Sequence, residues 1–287
     1  MPGRIVVVTD STASLPPDVA AARGIVMVPL QVVIGAKSYD EGTQATPQTV
    51  ATALREFTPV STSRPTPEAF LRIYRDAAES GSEAVVSVHL SGEVSGTYES
   101  AELAAAMAPL PVETVDSRHV GMGTGFAVLA AAEALAAGAS AVQAARAAAN
   151  RAASTRAYFY VDTLEYLRRG GRIGAAAALL GSALAVKPLL VVSEGRIGPL
   201  EKVRTSARAL ARIEELAARA ADAADTPVDV AVQHLANPQR AEAIARRLQD
   251  RLGLDQVHVS EVGAVIGAHV GPGMVAVVVA PRTPPPT

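Results

Sequence analysis

The sequence predicts an α/β protein of two lobes, with an N-terminal parallel-sheet α/β/α domain and a C-terminal α+β domain. In the first half, short Val- and Ile-rich runs alternate with Ala-rich helical stretches, which is the order of a parallel sheet covered by helices. In the second half, apolar runs come in hairpin-like pairs mixed with helices. The length of 287 residues is enough for two domains, each with its own core.

The first domain is predicted over residues 1–155. Its strands are the short apolar runs RIVVVTD, IVMVPLQVVI, EAVVSVHL and PVETVD. Its helices are the stretches PDVAAAR, PEAFLRIYRDAAES and SAELAAAMA, followed by one long stretch, AVLAAAEALAAGASAVQAARAAANRAA. In an open parallel sheet the loops at the carboxyl ends of the strands line the ligand crevice, so candidate site residues are expected in these loops.

The second domain is predicted over residues 156–281. It begins with the strand of YFYVDTLEYLRRGGRIG, and KPLLVVSEGRIGPLEKVR indicates two strands around a Gly turn. The runs DVAVQHLAN and MVAVVVAP supply further strands. Residues 282–287, RTPPPT, form a predicted disordered tail.

Composition argues against several classes of function. The chain has no cysteine, which excludes disulfides, thiolate nucleophiles and cysteine-bound metals. A net charge of -2 and an aromatic content of 3% are unlike those of nucleic-acid-binding proteins. No run reaches the roughly 20 apolar residues of a membrane span, and MPGRIVVVTD lacks the features of a secretory signal. We therefore expect a cytoplasmic protein without stable membrane insertion, and the absence of P-loop and H-E-x-x-H motifs predicts no cofactor or metal.

The stretch AVVSVHLSGEVSGTYESA, residues 84–101, runs from an apolar strand through a loop rich in Ser and Gly into a helix. Such a loop either exposes a nucleophilic serine or binds an anion through hydroxyls and backbone N–H groups. A nucleophile elbow requires G-x-S-x-G, but Glu93 stands where the first glycine would precede Ser95. The pattern therefore favours an anion site.

Two further hydroxyl clusters accompany this loop, Thr9 to Thr12 and Ser61 to Ser63. Each follows an apolar run or a Pro-defined turn and leads towards a helix, where free N–H groups and a partial positive charge suit a carboxylate or phosphate. Helix capping is the alternative explanation, since Ser and Thr are preferred N-cap residues. The sequence alone leaves both open.

Two features of the second domain are also candidates. His269, in VIGAHVGPGMVAVVV, is predicted to lie in a loop before the last strand, where its imidazole could donate to an anion. Arg168, Arg169 and Arg172 surround Gly170-Gly171, with no acidic residue within 166–175. This basic turn is either a solvated helix C-terminus or a charged rim that attracts a partner protein.

Several of these stretches, taken in order, resemble one family across nearly the whole chain. They are TDSTASLP, VPLQVVIGAKSYDEG, TSRPTPEAF, HLSGEVSGTYESA, DTLEYLRRGGRI, VKPLLVVSEGRI, KVRTSARAL and HVGPG. The pattern is similar to that of the DegV family, and SGTY combined with DTLEYLRRGGRI is its most specific part. The resemblance implies two lobes with a long-chain fatty acid such as palmitate in a buried tunnel between them. It also implies a non-catalytic role, in which the bound acid is presented to a separate fatty-acid kinase whose product feeds phospholipid synthesis.

The resemblance further implies which residues contact the carboxylate. They are Thr62 of TS-x-P, Ser95 of SGT, Arg204 of KVRTS and His269 of the H-x-G-P-G turn. Under this interpretation Ser95 is a hydrogen-bond donor, and hydroxyls with an imidazole bind a carboxylate well once water is excluded.

The chain departs from the family pattern at two positions, with Arg64 where Gln is usual and Val270 where Thr is common. Arg64 would add positive charge beside the anion site, and Val270 would remove a hydroxyl. The alternative function is a serine hydrolase that uses Ser95 and His269 on a lipid-like ester. An independent nucleotide-binding kinase and a binder of another lipid-like acid are also considered.

Overall fold

The structure is a computed structural model that describes residues 4–179 and 187–282. The strands, in chain order, are β1 Arg4–Asp10, β2 Val26–Val28, β3 Gln31–Ile34, β4 Lys37–Asp40, β5 Val60–Ser63, β6 Ser82–His89, β7 Val112–Asp116, β8 Arg156–Tyr160, β9 Lys187–Ser193, β10 Arg196–Val203, β11 Val228–His234, β12 His258–Glu261 and β13 Val275–Pro281. The α-helices are α1 Pro17–Ala22, α2 Pro47–Arg55, α3 Pro67–Glu79, α4 Thr97–Ala105, α5 Met122–Ala136, α6 Ala141–Ser154, α7 Glu165–Arg169, α8 Ser206–Asp222, α9 Pro238–Leu252 and α10 Ala264–Val270.

The described residues form two compact units. The first unit comprises residues 4–31 and 63–154, and the second comprises 32–62 and 155–282 without the gap at 180–186. This differs from the sequence-based division after residue 155, because the segment 32–62 groups with the C-terminal residues, where α2 packs against α10. The second unit is therefore built from two separate segments of the chain.

The first unit contains a wholly parallel sheet in the order β2-β1-β6-β7. On one face, Val6 and Val8 of β1 pack with Phe70 and Tyr74 of α3. Val7 points to the opposite face because side chains alternate along a strand, and it is also buried. Helices α5 and α6 pack against the central strands, so helices cover the sheet as the sequence predicted.

The second unit contains a mixed sheet in the order β10-β9-β8-β13-β11-β12, and among its described strands only β11 and β12 are parallel neighbours. A smaller sheet has the order β4-β3-β5. The predicted hairpin is β9–β10, and its turn residues Glu194 and Gly195 have φ values of 49° and 77°. Two left-handed residues form the tight turn that suits the twist of a hairpin.

Two predicted elements differ from the structure, and a third lies almost wholly outside the described residues. The run IVMVPLQVVI is two strands of different sheets, β2 and β3, because Pro29 between them has no N–H for a strand ladder. The long Ala-rich stretch is two helices, α5 and α6, separated at Gly138, which has a φ of 89°. The predicted disordered tail lies outside the described residues except for Arg282, whose guanidinium is 2.7 Å from a carboxylate oxygen of Asp229.

Candidate functional site

Thr62 and His269 form a polar pair in the second unit. Thr62 lies on β5, and His269 lies in the last turn of α10. The Oγ1 atom of Thr62 is 2.8 Å from Nε2 of His269. The structure thus brings together two of the four sequence-predicted site residues.

The predicted loop around His269 is wrong, since this residue belongs to the seven-residue helix α10. A short helix depends strongly on its ends, because its first N–H groups have no partner within the helix. The carboxylate of Glu41 accepts a hydrogen bond from the backbone N–H of Val265 at 2.7 Å. At the other end Gly271 has a φ of 74°, which terminates the helix directly after Val270.

The imidazole of His269 is held in its uncharged form. Burial, with a further contribution from the positive charge of Arg172, lowers the pKa of His269 to about 4. Its Nδ1 atom is buried and has no hydrogen-bond partner within residues 4–179 and 187–282. At neutral pH the site therefore presents a hydroxyl and a neutral ring rather than a fixed positive charge.

Glycines allow the polypeptide to approach this ring closely. A β-carbon on Gly170 would collide with Nδ1 of His269, and a β-carbon on Gly271 would collide with the ring of Tyr166. Arg172 donates a hydrogen bond of 2.6 Å to the carbonyl oxygen of Gly170. The glycine pair of the RRGGR stretch thus includes one glycine that the packing of His269 requires.

The basic turn is partly neutralised. Arg168 and Arg169 both bind the carboxylate of Glu165, each at 2.7 Å. Glu165 directly precedes residues 166–175, which contain no acidic side chain, and the two arginines hold its pKa at about 2. The basic turn is therefore not a simple cluster of three free positive charges.

Ser95 lies in the first unit, in the loop between β6 and α4. Its Oγ accepts a hydrogen bond from the backbone N–H of Thr97 at 3.3 Å and is 2.9 Å from the Thr97 hydroxyl. In the same loop, Ser91 Oγ accepts from the backbone N–H of Glu93 at 3.2 Å. These serines thus form local side-chain-to-backbone hydrogen bonds two residues along the chain, whereas the N-cap residue of α4 is Gly96, with no side-chain cap.

Arg64 lies beside this loop, also in the first unit. Its guanidinium is 2.9 Å from the Glu99 carboxylate and packs where a β-carbon of Gly96 would be. The extra positive charge expected from Arg64 is therefore largely balanced by Glu99. The second departure, Val270, is a buried residue at the end of α10.

Arg204 is the fourth of the site residues predicted from the sequence. It is exposed between β10 and α8, directly before the N-cap residue Thr205. No residue of the described ranges forms an ion pair with it or links it by a hydrogen bond to Thr62 or His269. The predicted role of Arg204 in binding the carboxylate stays a prediction.

A buried network in the first unit was missed from the sequence. The Asp10 carboxylate binds Nδ1 of His89 at 3.0 Å, and Nε2 of His89 is 2.7 Å from Ser87 Oγ. Ser87 in turn contacts the Tyr74 hydroxyl at 2.8 Å. Asp10 also accepts from the backbone N–H of Leu90 at 3.1 Å, so it ties together the ends of β1 and β6. The sequence signal for this network is an Asp at the end of the buried strand β1 and a His at the end of the buried strand β6, its neighbour in the sheet.

A serine hydrolase that uses Ser95 and His269 finds no support in this geometry. The Nε2 atom of His269 already contacts Thr62, and a pKa near 4 makes the ring a weak base at neutral pH.

None of the helices that the structure describes is long and apolar enough to cross a bilayer. Within the same ranges, His, Asp and Glu side chains form no cluster suited to a metal ion.

These features define a two-unit α/β protein with an uncharged hydroxyl–imidazole pair. The chain belongs to the DegV family: the model of this family of uncharacterised proteins matches residues 4–282. The chain is 57% identical over 283 residues to a DegV domain-containing protein of Streptomyces coelicolor, covering 98% of this chain and 100% of that protein. The resemblance and the fold class predicted from the sequence are thereby confirmed.

Solved structures agree with this assignment. The chain is similar to a DegV family protein from Thermus thermophilus described as fatty acid binding, with a TM-score of 0.91, 35% identity and coverage of 97% and 99% of the two chains. It is also similar to DegV of Bacillus subtilis, described as a fatty acid binding protein, with a TM-score of 0.90, 34% identity and the same coverage.

Proposed function

We propose that this protein binds a long-chain fatty acid such as palmitate and presents its carboxylate to a separate fatty-acid kinase. It performs no chemistry of its own on the acid and needs no cofactor. The acyl chain lies in a buried tunnel, and the protein acts in the cytoplasm, where the phosphorylated product enters phospholipid synthesis. The fatty acid binding described for the relatives from Thermus thermophilus and Bacillus subtilis supports the ligand class.

The observation that carries this proposal is the Thr62–His269 pair. A carboxylate accepts hydrogen bonds and donates none, so it requires donors such as a hydroxyl or a ring N–H. Thr62 Oγ1 and His269 Nε2 lie 2.8 Å apart, and because one of their two protons lies between them, the pair offers one neutral donor to a ligand, with the ring kept uncharged by burial. Neutral donors hold a carboxylate without covering it with a cation, which leaves an oxygen with lone pairs for a kinase to phosphorylate.

We assign the head-group site to Thr62 and to His269, which is hydrogen-bonded to Thr62, with Ser95 and Arg204 as further members. Ser95 contributes a hydroxyl in a loop whose backbone is held by local side-chain-to-backbone hydrogen bonds. Arg204 contributes an exposed guanidinium, which suits a role in approach of the acid or of the kinase.

The decisive experiment compares an acid with its ester. The purified protein is stripped of lipid, and thermal unfolding is followed with added palmitate or methyl palmitate. A ligand that binds only the native state raises the midpoint with concentration. We expect a rise with palmitate and a much smaller one with the ester, because the ester lacks the carboxylate charge.

Two results would contradict the proposal. Equal stabilisation by acid and ester would show that the protein has no carboxylate-specific site. No stabilisation by either would show that it does not bind this lipid. Mass spectrometry of lipid extracted from the protein before stripping identifies the natural chain length. Release of product from an acyl ester by the wild type, lost in Ser95→Ala, would establish the hydrolase instead.

A further inference from the structure

The Thr62–His269 contact can be made by either tautomer of a neutral histidine. If Nε2 carries the proton, it donates to Oγ1 of Thr62, and the threonine proton is directed elsewhere. If Nδ1 carries the proton, Nε2 accepts a hydrogen bond from the Thr62 hydroxyl, which then has no proton left to donate to a ligand. The two cases differ in whether Thr62 can still donate to a ligand.

The surroundings of Nδ1 distinguish these cases. This atom is buried and has no partner in the described part of the chain. Gly170 lies against it: a β-carbon on this residue would collide with Nδ1, so the hydrogen that a side chain would replace points at this nitrogen. A C–H group is a weak donor and complements a lone pair, whereas an N–H at this position would be an orphaned buried donor, which is rare in proteins.

We propose that His269 is a positioning residue that stays in the Nε2–H tautomer, donates to Thr62 and so directs the Thr62 proton to the ligand, with Gly170 setting the tautomer. The role of the ligand rests on the proposed function; the tautomer itself does not. Thr62 then touches the carboxylate as donor, and His269 acts through Thr62. This also gives Gly170 a specific task in the RRGGR stretch.

The first test concerns the ligand-free protein. Nitrogen-15 NMR spectra of the histidine rings distinguish protonated from unprotonated nitrogens, and His269 is identified by its absence in His269→Gln. At pH 7 we expect a protonated Nε2 and an unprotonated Nδ1. A protonated Nδ1 in the wild type would overturn the proposal, whatever ligand the protein binds.

The second test uses glycine variants. Gly170 has a φ of -75° at the end of α7, so Gly170→Ala fits the backbone and adds only the collision with the ring. The control is Gly198→Ala in β10, where nothing lies within 4 Å of an added β-carbon. We expect the His269 nitrogen signals to change in Gly170→Ala and not in Gly198→Ala. Unchanged signals in a folded Gly170→Ala protein would show that Gly170 does not set the tautomer, and if this variant does not fold, the wild-type spectrum decides.

The third test links the tautomer to ligand preference. A glutamine amide can reach the position of Nε2 and donate from it, whereas an asparagine amide is too short. We expect His269→Gln to keep most of the preference for palmitate over methyl palmitate, and His269→Asn to lose about tenfold or more of it. Equal losses in both variants would contradict the positioning role. If the wild type itself shows no preference for the acid, the proposed function fails while the tautomer remains tested by the spectra.

Discussion

His269 is a buried base that remains neutral where exposed histidines begin to protonate. Its pKa is lowered from 6.5 to about 4, mainly by burial and further by Arg172. A folded-state pKa below the unfolded value means that the unfolded chain takes up the proton first as the pH falls. The stability that depends on neutral His269 is therefore complete above pH 6.5 and is lost between about pH 6.5 and 4.

This linkage predicts a change in the pH dependence of unfolding. Replacing His269 by Gln removes the ionisable group, so the variant should lose less stability than the wild type on acidification, by up to about 3 kcal/mol. Urea unfolding at pH 7 and at the acid end of the window measures the difference. His258→Gln, at an exposed position, is the control and should follow the wild type. Parallel pH profiles for wild type and His269→Gln would refute the lowered pKa.

The head-group assignment predicts the effect of removing single hydroxyls. Thr62→Ala and Ser95→Ala should each weaken palmitate binding by about 1.5–3 kcal/mol, because each deletes a donor to a charged group. Titration with the acid measures the loss, and circular dichroism confirms the fold. Ser61→Ala serves as the control, since Ser61 is an exposed residue of the same strand. If both site variants bind like the wild type, the assignment is wrong.

Sequence reasoning at this scale depended on the family resemblance. Thr62 and His269 are 207 positions apart, and no spacing rule relates two such residues. The resemblance named them both, whereas their contact appears only when β5 and α10 meet. Gly170 and Glu41 lie within the stretches that resemble the family, but nothing in the sequence indicated a role for them. The space that a glycine leaves for a neighbouring ring, and the capping of a distant helix by a carboxylate, are visible only in three dimensions.

Helix α10 is an element whose stability comes from outside itself. Removing the Glu41 carboxylate leaves the Val265 N–H buried without this acceptor, so Glu41→Ala should cost about 1–3 kcal/mol of unfolding free energy. It should also weaken palmitate binding, since α10 carries His269. Chemical denaturation measures the first effect and titration the second.

The control for this element is Glu56→Ala, at an exposed position after α2, which should change stability by less than about 0.5 kcal/mol. A Glu41→Ala protein with wild-type stability and affinity would show that α10 holds its place without this contact.

Helix α7 carries the candidate rim for the kinase. Charge reversal of Arg168 and Arg169 together should slow phosphorylation of bound palmitate, most strongly at low salt, because exposed charges act mainly on the rate of association. Palmitate affinity should not change. Arg246→Glu on α9, another exposed arginine with a helical glutamate neighbour, is the matched control. Phosphorylation at the wild-type rate in the double variant would place kinase docking elsewhere.

Elements with a strong local sequence pattern were predicted correctly, whereas elements that depend on a tertiary contact were not. Strand β1 is a continuous apolar run, and the β9–β10 hairpin has the Gly turn that such hairpins need. Helix α10, in contrast, has two glycines beside its histidine and no polar cap of its own. Its N-terminal partner is Glu41, from a distant segment, so local pattern had no means of indicating a helix there.

At the scale of the whole protein, a tunnel for an acyl chain predicts a regular dependence on chain length. Each buried CH₂ contributes roughly 0.8 kcal/mol, so the dissociation constant should fall about fourfold per added methylene. The trend should stop where the chain becomes longer than the tunnel. Titration with saturated acids of increasing length, with the matching methyl esters as controls, measures this series. Affinity that does not change with length would exclude a buried acyl chain.

The second unit is assembled from segments that leave the ribosome at different times. Residues 32–62 emerge well before Thr155, the first residue of the other segment, and synthesis proceeds at roughly 5–20 residues per second. During that interval the parallel sheet of the first unit can close, whereas β5, with Thr62, must wait for α10 near the end of the chain. A nascent chain stalled before His269 should therefore contain a protease-resistant first unit and a cleavable segment 32–62, because the Thr62–His269 pair forms only after α10 has left the ribosome.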